Sequence, residues 1–350
     1  MSRGRSVPWA IWALVCTRLL GIAGVSWDVA WHRTIGRESF WIPPHLMVYS
    51  AVTAGALIVL VVFLQEQWTL PRGYGIMLCG WAVIVLSAPF DEWWHRRHGL
   101  DVDVWSPPHL MAVAGSLVSG LGLVATLMAD TGRSAAKHLI LVCFGLALWS
   151  PMFALGRFTI VAWTRDAVLY PALASLLVPF VLVAAIQAMP LRWAATVTAS
   201  VYLALMLVMA WILGSAGLKP TSPPPLLLVP ALALDGIALS LGRGRFWFGP
   251  LTGIVFALTF FGTEYVWTWM VVGHAWLTDR LLPGIAWSVP AGAFSGLLGD
   301  HLGRLLARAT SQRSQTDQKG PDARRRFERR LRRRNLWGEV RKGAVEAPSE

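Results

Sequence analysis

Charged residues and cysteines are both scarce in this 350-residue chain, and each scarcity excludes a class of protein. Only 14% of the residues are charged while 55% are hydrophobic, a composition outside the range of soluble globular domains. The three cysteines include no CxxC pair, so we expect neither a disulfide framework nor a thiolate metal site. The sequence instead indicates an integral membrane protein.

Long apolar runs occupy most of the chain up to residue 306. Each holds roughly 17 to 25 residues, enough for a helix to cross the hydrocarbon core of a bilayer. Helices satisfy their own backbone hydrogen bonds, which lipid cannot do for them. We therefore predict an all-α fold, a polytopic transmembrane bundle of about ten helices built from repeated helical hairpins. The expected spans are 8–27, 44–64, 73–93, 108–129, 136–155, 167–189, 192–214, 224–241, 246–271 and 283–306.

Positive charge is concentrated after the last apolar run. The net charge is +12, and the stretch RRRFERRLRRR spans Arg324 to Arg334. The positive-inside rule then predicts a multi-pass protein of the cell membrane with both termini in the cytoplasm. We expect residues 1–306 to form the transmembrane domain and residues 307–350 a basic, largely disordered cytoplasmic tail. Anionic lipid suits this tail as a partner, and we expect no nucleic acid there.

One polar motif occurs twice between apolar runs. The stretch DVAWHRTIGRESFWIPPHLM begins at Asp28, and DEWWHRRHGLDVDVWSPPHLM begins at Asp91. The match indicates a duplicated helical hairpin, with copies at 8–64 and 73–129, and weaker echoes predict further hairpins within 136–306. The paired positions are Asp28 with Asp91, Trp31 with Trp94, His32 with His95, Gly36 with Gly99, Trp41 with Trp105, and Pro43-Pro44-His45 with Pro107-Pro108-His109.

Each copy places one aspartate and two histidines near the ends of two helices. Residues four apart share a helix face, so the aspartate and the first histidine point the same way. The Pro-Pro pair suits a first helical turn and fixes where the second histidine emerges. By the predicted orientation, both motifs lie near the outer face of the membrane.

Two imidazoles and one carboxylate form a ligand set that suits Cu, Zn, Fe or Mn. Three protein ligands leave a coordination position open, as a catalytic metal requires. The alternative is that the Asp and His side chains are hydrogen-bonded caps at the membrane interface. The candidate ligands are Asp28, His32 and His45 in the first copy and Asp91, His95 and His109 in the second.

The spacing Asp-x3-His-x12-His resembles the first copper motif in the C subunit of copper membrane monooxygenases, the particulate methane and ammonia monooxygenases. The second motif of that family is Asn-x3-His-x13-His, and the second copy has this spacing with Asp91 in place of asparagine. The resemblance covers about a quarter of the chain. It implies partner membrane subunits. It also implies one copper ion bound by Asp28, His32 and His45. His95 and His109, with Asp91, would then complete this copper site or form an alternative to it.

Three ionisable residues, Arg18, Asp235 and Glu264, lie within predicted spans. Such side chains are costly in a membrane and usually face a partner or a cavity. One expectation is an ion pair between Arg18 and one of the two acids. The other is an intramembrane proton or ion path, in which Glu264 passes protons to an outer-face site or lines a solute route.

The resulting hypothesis is a membrane metal-binding protein that acts as, or supports, a copper monooxygenase-like enzyme on small apolar substrates. Copper is favoured by the resemblance, and zinc or iron is also allowed by the ligands. A transporter of a metal ion or a proton-coupled solute is the alternative, because internal repeats and buried charges are also typical of carriers. A metal-delivery or assembly protein is the third interpretation.

Overall fold

The computed structural model describes residues 8–36, 39–68, 70–99, 105–155, 166–219, 224–273 and 276–309, so the predicted tail lies outside it from residue 310 onward. Within these ranges the chain forms ten α-helices and no strand, which confirms the predicted fold class. Eight helices are long and apolar enough to cross a membrane. The helices are α1 (Trp9–Thr34), α2 (Pro43–Gln65), α3 (Arg72–His98), α4 (Pro107–Ala135), α5 (Lys137–Leu155), α6 (Leu169–Ala188), α7 (Ala194–Ser215), α8 (Leu228–Leu241), α9 (Phe248–Val272) and α10 (Thr278–Ala309).

The helix boundaries follow the predicted spans, with one systematic difference. α2 begins at Pro43 and α4 at Pro107, so each Pro-Pro pair occupies a first helical turn as the sequence predicts. α1 and α3 continue beyond the predicted limits of 27 and 93, to Thr34 and His98. An apolar run marks only the part of a helix that suits hydrocarbon, and these two helices extend into the polar motif.

Two consecutive helix pairs carry the repeated motif. α1 packs along α2 and α3 packs along α4, whereas α2 and α3 touch only slightly. In the second pair, a Cβ added at Gly80 or Gly115 would collide with the opposite backbone, so glycine allows the two helices to meet. The same close approach joins α9 to α10 at Gly253 and Gly292. Glycine contacts therefore hold a hairpin in each half of the chain.

The centre of the bundle is formed by α5 and α6. Most residues of these two helices are buried, whereas the helices around them expose many large apolar side chains. α4 packs on α5, and α7 packs on both central helices. An apolar exterior around a buried helical core suits lipid as the surrounding solvent. The chain is thus a multi-pass helical membrane protein.

Candidate metal centre

The first triad forms where α1 ends and α2 begins. Asp28 and His32 lie one turn apart on α1, with Oδ1 of the aspartate 3.3 Å from Nε2 of the histidine. His45, in the first turn of α2, places its Nε2 atom 3.2 Å from the same oxygen. One carboxylate oxygen therefore faces two imidazole nitrogens from two helices.

The second triad repeats this arrangement where α3 ends and α4 begins. Asp91 Oδ2 lies 3.3 Å from His95 Nε2, and Asp91 Oδ1 lies 3.3 Å from His109 Nε2. In each triad the three ligand atoms lie within 4.8 Å of one another, and the side chains are partly buried. Each hairpin thus forms its own cluster, and the six predicted ligands are distributed three to a hairpin.

The separations within each triad suit a bound metal ion. Nitrogen and oxygen ligands about 2.1 Å from a common ion, at angles of roughly 90° to 110°, lie about 3.0 to 3.4 Å apart. The four contacts between carboxylate and imidazole, at 3.2 to 3.3 Å, fall in this range. Imidazole and carboxylate together also suit copper, zinc and iron. The residues therefore fit a transition metal in both spacing and chemistry.

One oxygen of each carboxylate is buried against imidazole nitrogen. Asp28 Oδ1 lies 3.2 to 3.3 Å from the Nε2 atoms of His45 and His32, and Asp91 Oδ1 lies 3.3 Å from His109 Nε2. A buried carboxylate oxygen without a donor is costly. A cation placed between the oxygen and the nitrogens would satisfy all of them together. A proton on each imidazole, as in the hydrogen-bonded cap, or a bound metal ion would satisfy these atoms.

Backbone carbonyls orient His45 in the first triad and His95 in the second. His45 Nδ1 donates to the Phe40 carbonyl at 3.3 Å, and His95 Nδ1 donates to the Gly99 carbonyl at 3.3 Å. Because a carbonyl only accepts, the proton of each neutral ring lies on Nδ1, and the Nε2 lone pair faces the carboxylate. These electron-rich atoms repel unless a proton or a metal ion lies between them. Metal-binding histidines commonly donate their other N–H to such a carbonyl.

Both triads line one cavity of about 760 Å³. The cavity extends from the triads along α1 past Arg18 to Leu14, and much of its wall is apolar. This volume is typical of small-molecule sites in proteins. A metal ion in either triad would therefore border a space that is large enough for a substrate. The apolar side chains that line the cavity include Ile22, Val25, Val52, Trp81, Ile84 and Leu123.

Arg18 binds neutral groups, and not one of the predicted acids. Its guanidinium donates to the Ser116 carbonyl and hydroxyl, at 2.9 and 2.7 Å. It also donates to the Leu146 carbonyl at 3.0 Å and to the Ser150 hydroxyl at 2.8 Å. No acid in the described part of the chain forms an ion pair with this guanidinium. The expected ion pair was therefore wrong, and serines on α4 and α5 take the place of the acid.

Asp235 binds the first turn of α7. Its carboxylate accepts hydrogen bonds from the N–H groups of Ala195 and Thr196, at 3.1 and 2.8 Å, and from the Thr196 hydroxyl at 2.7 Å. The first N–H groups of a helix have no partner within that helix. A carboxylate at this end also interacts favourably with the helix dipole. The observed contacts of Asp235 are therefore those of a structural cap.

Glu264 is buried in α9 and joins it to two other segments. Its carboxylate accepts a hydrogen bond from the Tyr170 hydroxyl at 3.1 Å and another from the Leu226 N–H at 2.9 Å. Like Asp235, it does not belong to the lining of the cavity that the triads share. A proton or ion path through these two acids stays a prediction.

Three parts of the site were not predicted from the sequence: the carbonyls of Phe40 and Gly99, and the side chain of Tyr49. The ring of Tyr49 lies 6.0 Å from that of His45, and it lines the shared cavity. Its position four residues after His45 was the available signal, because such residues share a helix face. The carbonyls carry no side-chain signal, although Gly99, with φ of +86°, marks the turn after α3.

The fold and the candidate site alone define the class of this protein. No protein-family model, curated protein or solved structure matches the chain. The likeness to the copper monooxygenase C subunit therefore rests on the two motifs alone. The class that the described residues define is a multi-pass helical membrane protein with two triads that could each hold a metal ion.

Proposed function

We propose that this protein is a membrane metalloprotein that binds one transition-metal ion in each triad. The observation that carries the proposal is the convergence of one carboxylate and two imidazoles in each hairpin, with a buried carboxylate oxygen 3.2 to 3.3 Å from imidazole nitrogen. Convergence of unprotonated donor atoms is what a metal site requires. The ligands are Asp28, His32 and His45 in the first site and Asp91, His95 and His109 in the second.

Copper is the metal that we favour. The motif spacing resembles that of the monooxygenase C subunit, and imidazole ligands suit copper. Affinity for divalent metals of the first transition row also reaches its maximum at copper. Zinc or iron would fit the same donors, so metal analysis and not the ligand set decides between them.

The activity that we propose is that of an oxygenase-like membrane enzyme, or of a subunit that supports one. Copper or iron with an open coordination position supplies redox chemistry on dioxygen when it is bound. The chain itself contributes the cavity, which would hold a substrate beside the triads and exclude bulk water. Small apolar substrates concentrate in lipid, which suits a cavity of largely apolar lining. Partner membrane subunits belong to this proposal, as they do to the family that the motifs resemble.

The proposed orientation places both termini in the cytoplasm and the triads near the outer face of the cell membrane. Its support is the arginine-rich segment from Arg324 to Arg334 and the positive-inside rule. The same segment would bind anionic lipid at the cytoplasmic surface.

Transport of a metal ion or a solute is the alternative that we favour less. A carrier would need polar groups that continue a route from the triads through the bundle. Asp235 and Glu264 are the acids best placed by sequence for that role. Both are engaged in hydrogen bonds within the C-terminal half, and neither belongs to the lining of the shared cavity.

Elemental analysis of the detergent-purified protein tests the proposal. Wild type is compared with the double variants His32→Ala/His45→Ala and His95→Ala/His109→Ala. We expect about two equivalents of metal in wild type and about one in each double variant, because each hairpin supplies a complete ligand set.

The control for this experiment is His301→Ala, which removes an exposed histidine of α10 outside the triads. It should retain the metal content of wild type. Wild type that holds no transition metal, even after reconstitution with copper, zinc or iron, would refute the metal proposal. Circular dichroism confirms that each variant keeps its helices.

A further inference from the structure

The wall of the shared cavity carries a cation far from either triad. Arg18 lies ten residues before Asp28 on the same helix, a separation of roughly 15 Å at the rise of an α-helix. Both residues line the cavity. The space therefore connects a carboxylate and imidazole cluster at one end with a guanidinium at the other.

Neutral groups hold this guanidinium in place without cancelling its charge. Its four hydrogen bonds go to two backbone carbonyls and two serine hydroxyls, on Ser116, Leu146 and Ser150. No acid among the described side chains forms an ion pair with it. A charge inside a membrane protein is costly and usually has an opposite charge as its partner. An anion is the component that this arrangement lacks.

Two N–H donors at the same wall lack acceptors. Arg18 Nε and Trp149 Nε1 are buried atoms without a hydrogen-bond partner. Trp149 is only 3% exposed, lines the cavity, and lies on α5 between Leu146 and Ser150, which bind the guanidinium. An unpaired buried donor costs about 1 to 3 kcal/mol. Both donor atoms are closed off from the cavity surface, so a ligand carboxylate at this wall would balance the charge and would reach the two donors once the side chains turn toward it.

The rest of the cavity selects an organic anion. The side chains between Arg18 and the triads are mostly apolar, among them Ile22, Val25 and Trp81. At about 760 Å³, the cavity is far larger than a small inorganic ion needs and has the size of a typical organic ligand site. An apolar body of the ligand would cover these walls while its charged end reaches Arg18.

We infer that Arg18 and Trp149 bind the carboxylate of an organic acid whose hydrocarbon part fills the cavity toward the triads. The inference rests on these two residues and the cavity, and it holds whether or not metal occupies the triads. It therefore succeeds or fails independently of the metal proposal.

Binding of radiolabelled octanoate to the protein in lipid nanodiscs tests this inference, with empty nanodiscs as the blank for partition into lipid. We expect saturable binding that unlabelled octanoate displaces, while octanol, with the same chain but no charge, competes at least tenfold more weakly. Acetate, which keeps the charge without the chain, should also compete weakly. Octanol that competes as well as octanoate, or acetate that does, would overturn the inference.

Variants then locate the site. Arg18→Met removes the charge at similar size and should weaken octanoate binding by about tenfold or more, since hydrogen bonds to charged groups are worth about 1.5 to 3 kcal/mol. Arg18→Lys should restore part of the affinity. Trp149→Phe removes only the N–H group and should weaken binding by a few-fold.

The matched control is Arg280→Met, which removes an exposed arginine of α10 that does not line the cavity. It should bind octanoate as wild type does. A folded Arg18→Met protein with unchanged affinity would refute the site. If that variant does not fold, unchanged affinity in Trp149→Phe refutes it instead.

Discussion

The two triads have the same ligands, and the described residues around them can be compared contact by contact. In the first, the Phe40 carbonyl orients His45, the histidine contributed by the second helix of the hairpin. In the second, the Gly99 carbonyl orients His95, the histidine contributed by the first helix. The ligand set was therefore duplicated with the hairpin, and a backbone carbonyl orients an imidazole in both copies. We expect two sites with equal numbers of ligands.

The aromatic residues around the two triads differ. Tyr49 lies beside His45, and the position that corresponds to it in the second hairpin is Val113. Trp105 donates its Nε1–H to the Ala154 carbonyl and ties the second hairpin to α5. Its counterpart Trp41 is 67% exposed. The second triad is therefore attached to the centre of the bundle by a contact that the first lacks.

The largest expected effect comes from removing either carboxylate. Asp28→Ala and Asp91→Ala should each lower metal affinity by more than about 100-fold in their own hairpin, because loss even of a partner to a ligand costs about 10- to 100-fold. The other hairpin should keep its metal. Competition titration against a chromophoric chelator measures both sites in each variant.

The control for the carboxylates is Glu92→Ala. Glu92 neighbours Asp91 and lines the cavity, but it pairs with Arg96 at 2.7 Å and belongs to neither triad. The Glu92→Ala protein should bind two equivalents of metal, as wild type does. Loss of both metal ions in a single aspartate variant would contradict the presence of two separate sites, because it would show that the two triads share one site.

Gly99 supplies the carbonyl that orients His95, and Gly36 is its counterpart after α1. Gly99 has φ of +86° and ψ of −179°, a region that alanine enters at about 1 to 3 kcal/mol. Gly99→Ala should move the carbonyl that binds His95 and weaken metal binding at the second site by about tenfold. Gly36 has a positive φ of +66°, at which alanine costs roughly 1 to 2 kcal/mol, so Gly36→Ala should have the smaller effect.

Gly75→Ala serves as the control for these glycine variants. Gly75 lies in α3, and a Cβ added there meets nothing within 4 Å. The variant should be more stable than wild type by about 0.5 to 1 kcal/mol, because alanine favours helix over glycine. A Gly99→Ala protein with wild-type metal affinity at the second site would contradict the role of the Gly99 carbonyl.

The paired tryptophans test the anchoring of the hairpins through stability. Trp105→Phe removes the donor to the Ala154 carbonyl and should destabilise the protein by about 0.5 to 1.5 kcal/mol. Trp41→Phe changes an exposed side chain and should stay within about 0.5 kcal/mol of wild type. Thermal unfolding in detergent measures both variants. A Trp41→Phe loss as large as that of Trp105→Phe would show that the two hairpins are anchored equally.

The smallest expected effect concerns Tyr49. Tyr49→Ala removes an aromatic neighbour of His45 and should weaken the first site by about threefold, since ring contacts contribute about 0.5 to 1.5 kcal/mol. Tyr49→Phe keeps the ring and serves as the matched control, with affinity close to wild type. Copper titration of each variant distinguishes the two outcomes. A change at the second site in either variant would contradict the assignment.

The parts of the structure that local spacing determines were predicted from the sequence. Asp28 and His32 meet because they lie four apart on a helix. Pro43 and Pro107 occupy first turns because proline suits that position. The duplicated motif predicted two sets of the same three ligands and left open whether they share one site, and the described residues form two separate clusters.

Contacts between distant segments account for what the sequence did not predict. Arg18 reaches Ser116 and Ser150, which are 98 and 132 residues away in the chain. No periodic pattern in the sequence predicts serines so far away as the partners of Arg18. The sequence instead suggested an ion pair between Arg18 and an acid. The shared cavity likewise arises from the packing of several helices. The Phe40 and Gly99 carbonyls contribute backbone atoms, which every residue has.

Electron paramagnetic resonance of the Cu(II)-loaded protein tests most directly whether each triad binds a metal ion through its imidazoles. We predict nitrogen hyperfine structure from imidazole in wild type. We also predict about half of the integrated copper signal, with that structure retained, in His32→Ala/His45→Ala and in His95→Ala/His109→Ala. A wild-type signal without nitrogen coupling, or a full signal in both double variants, would contradict the account.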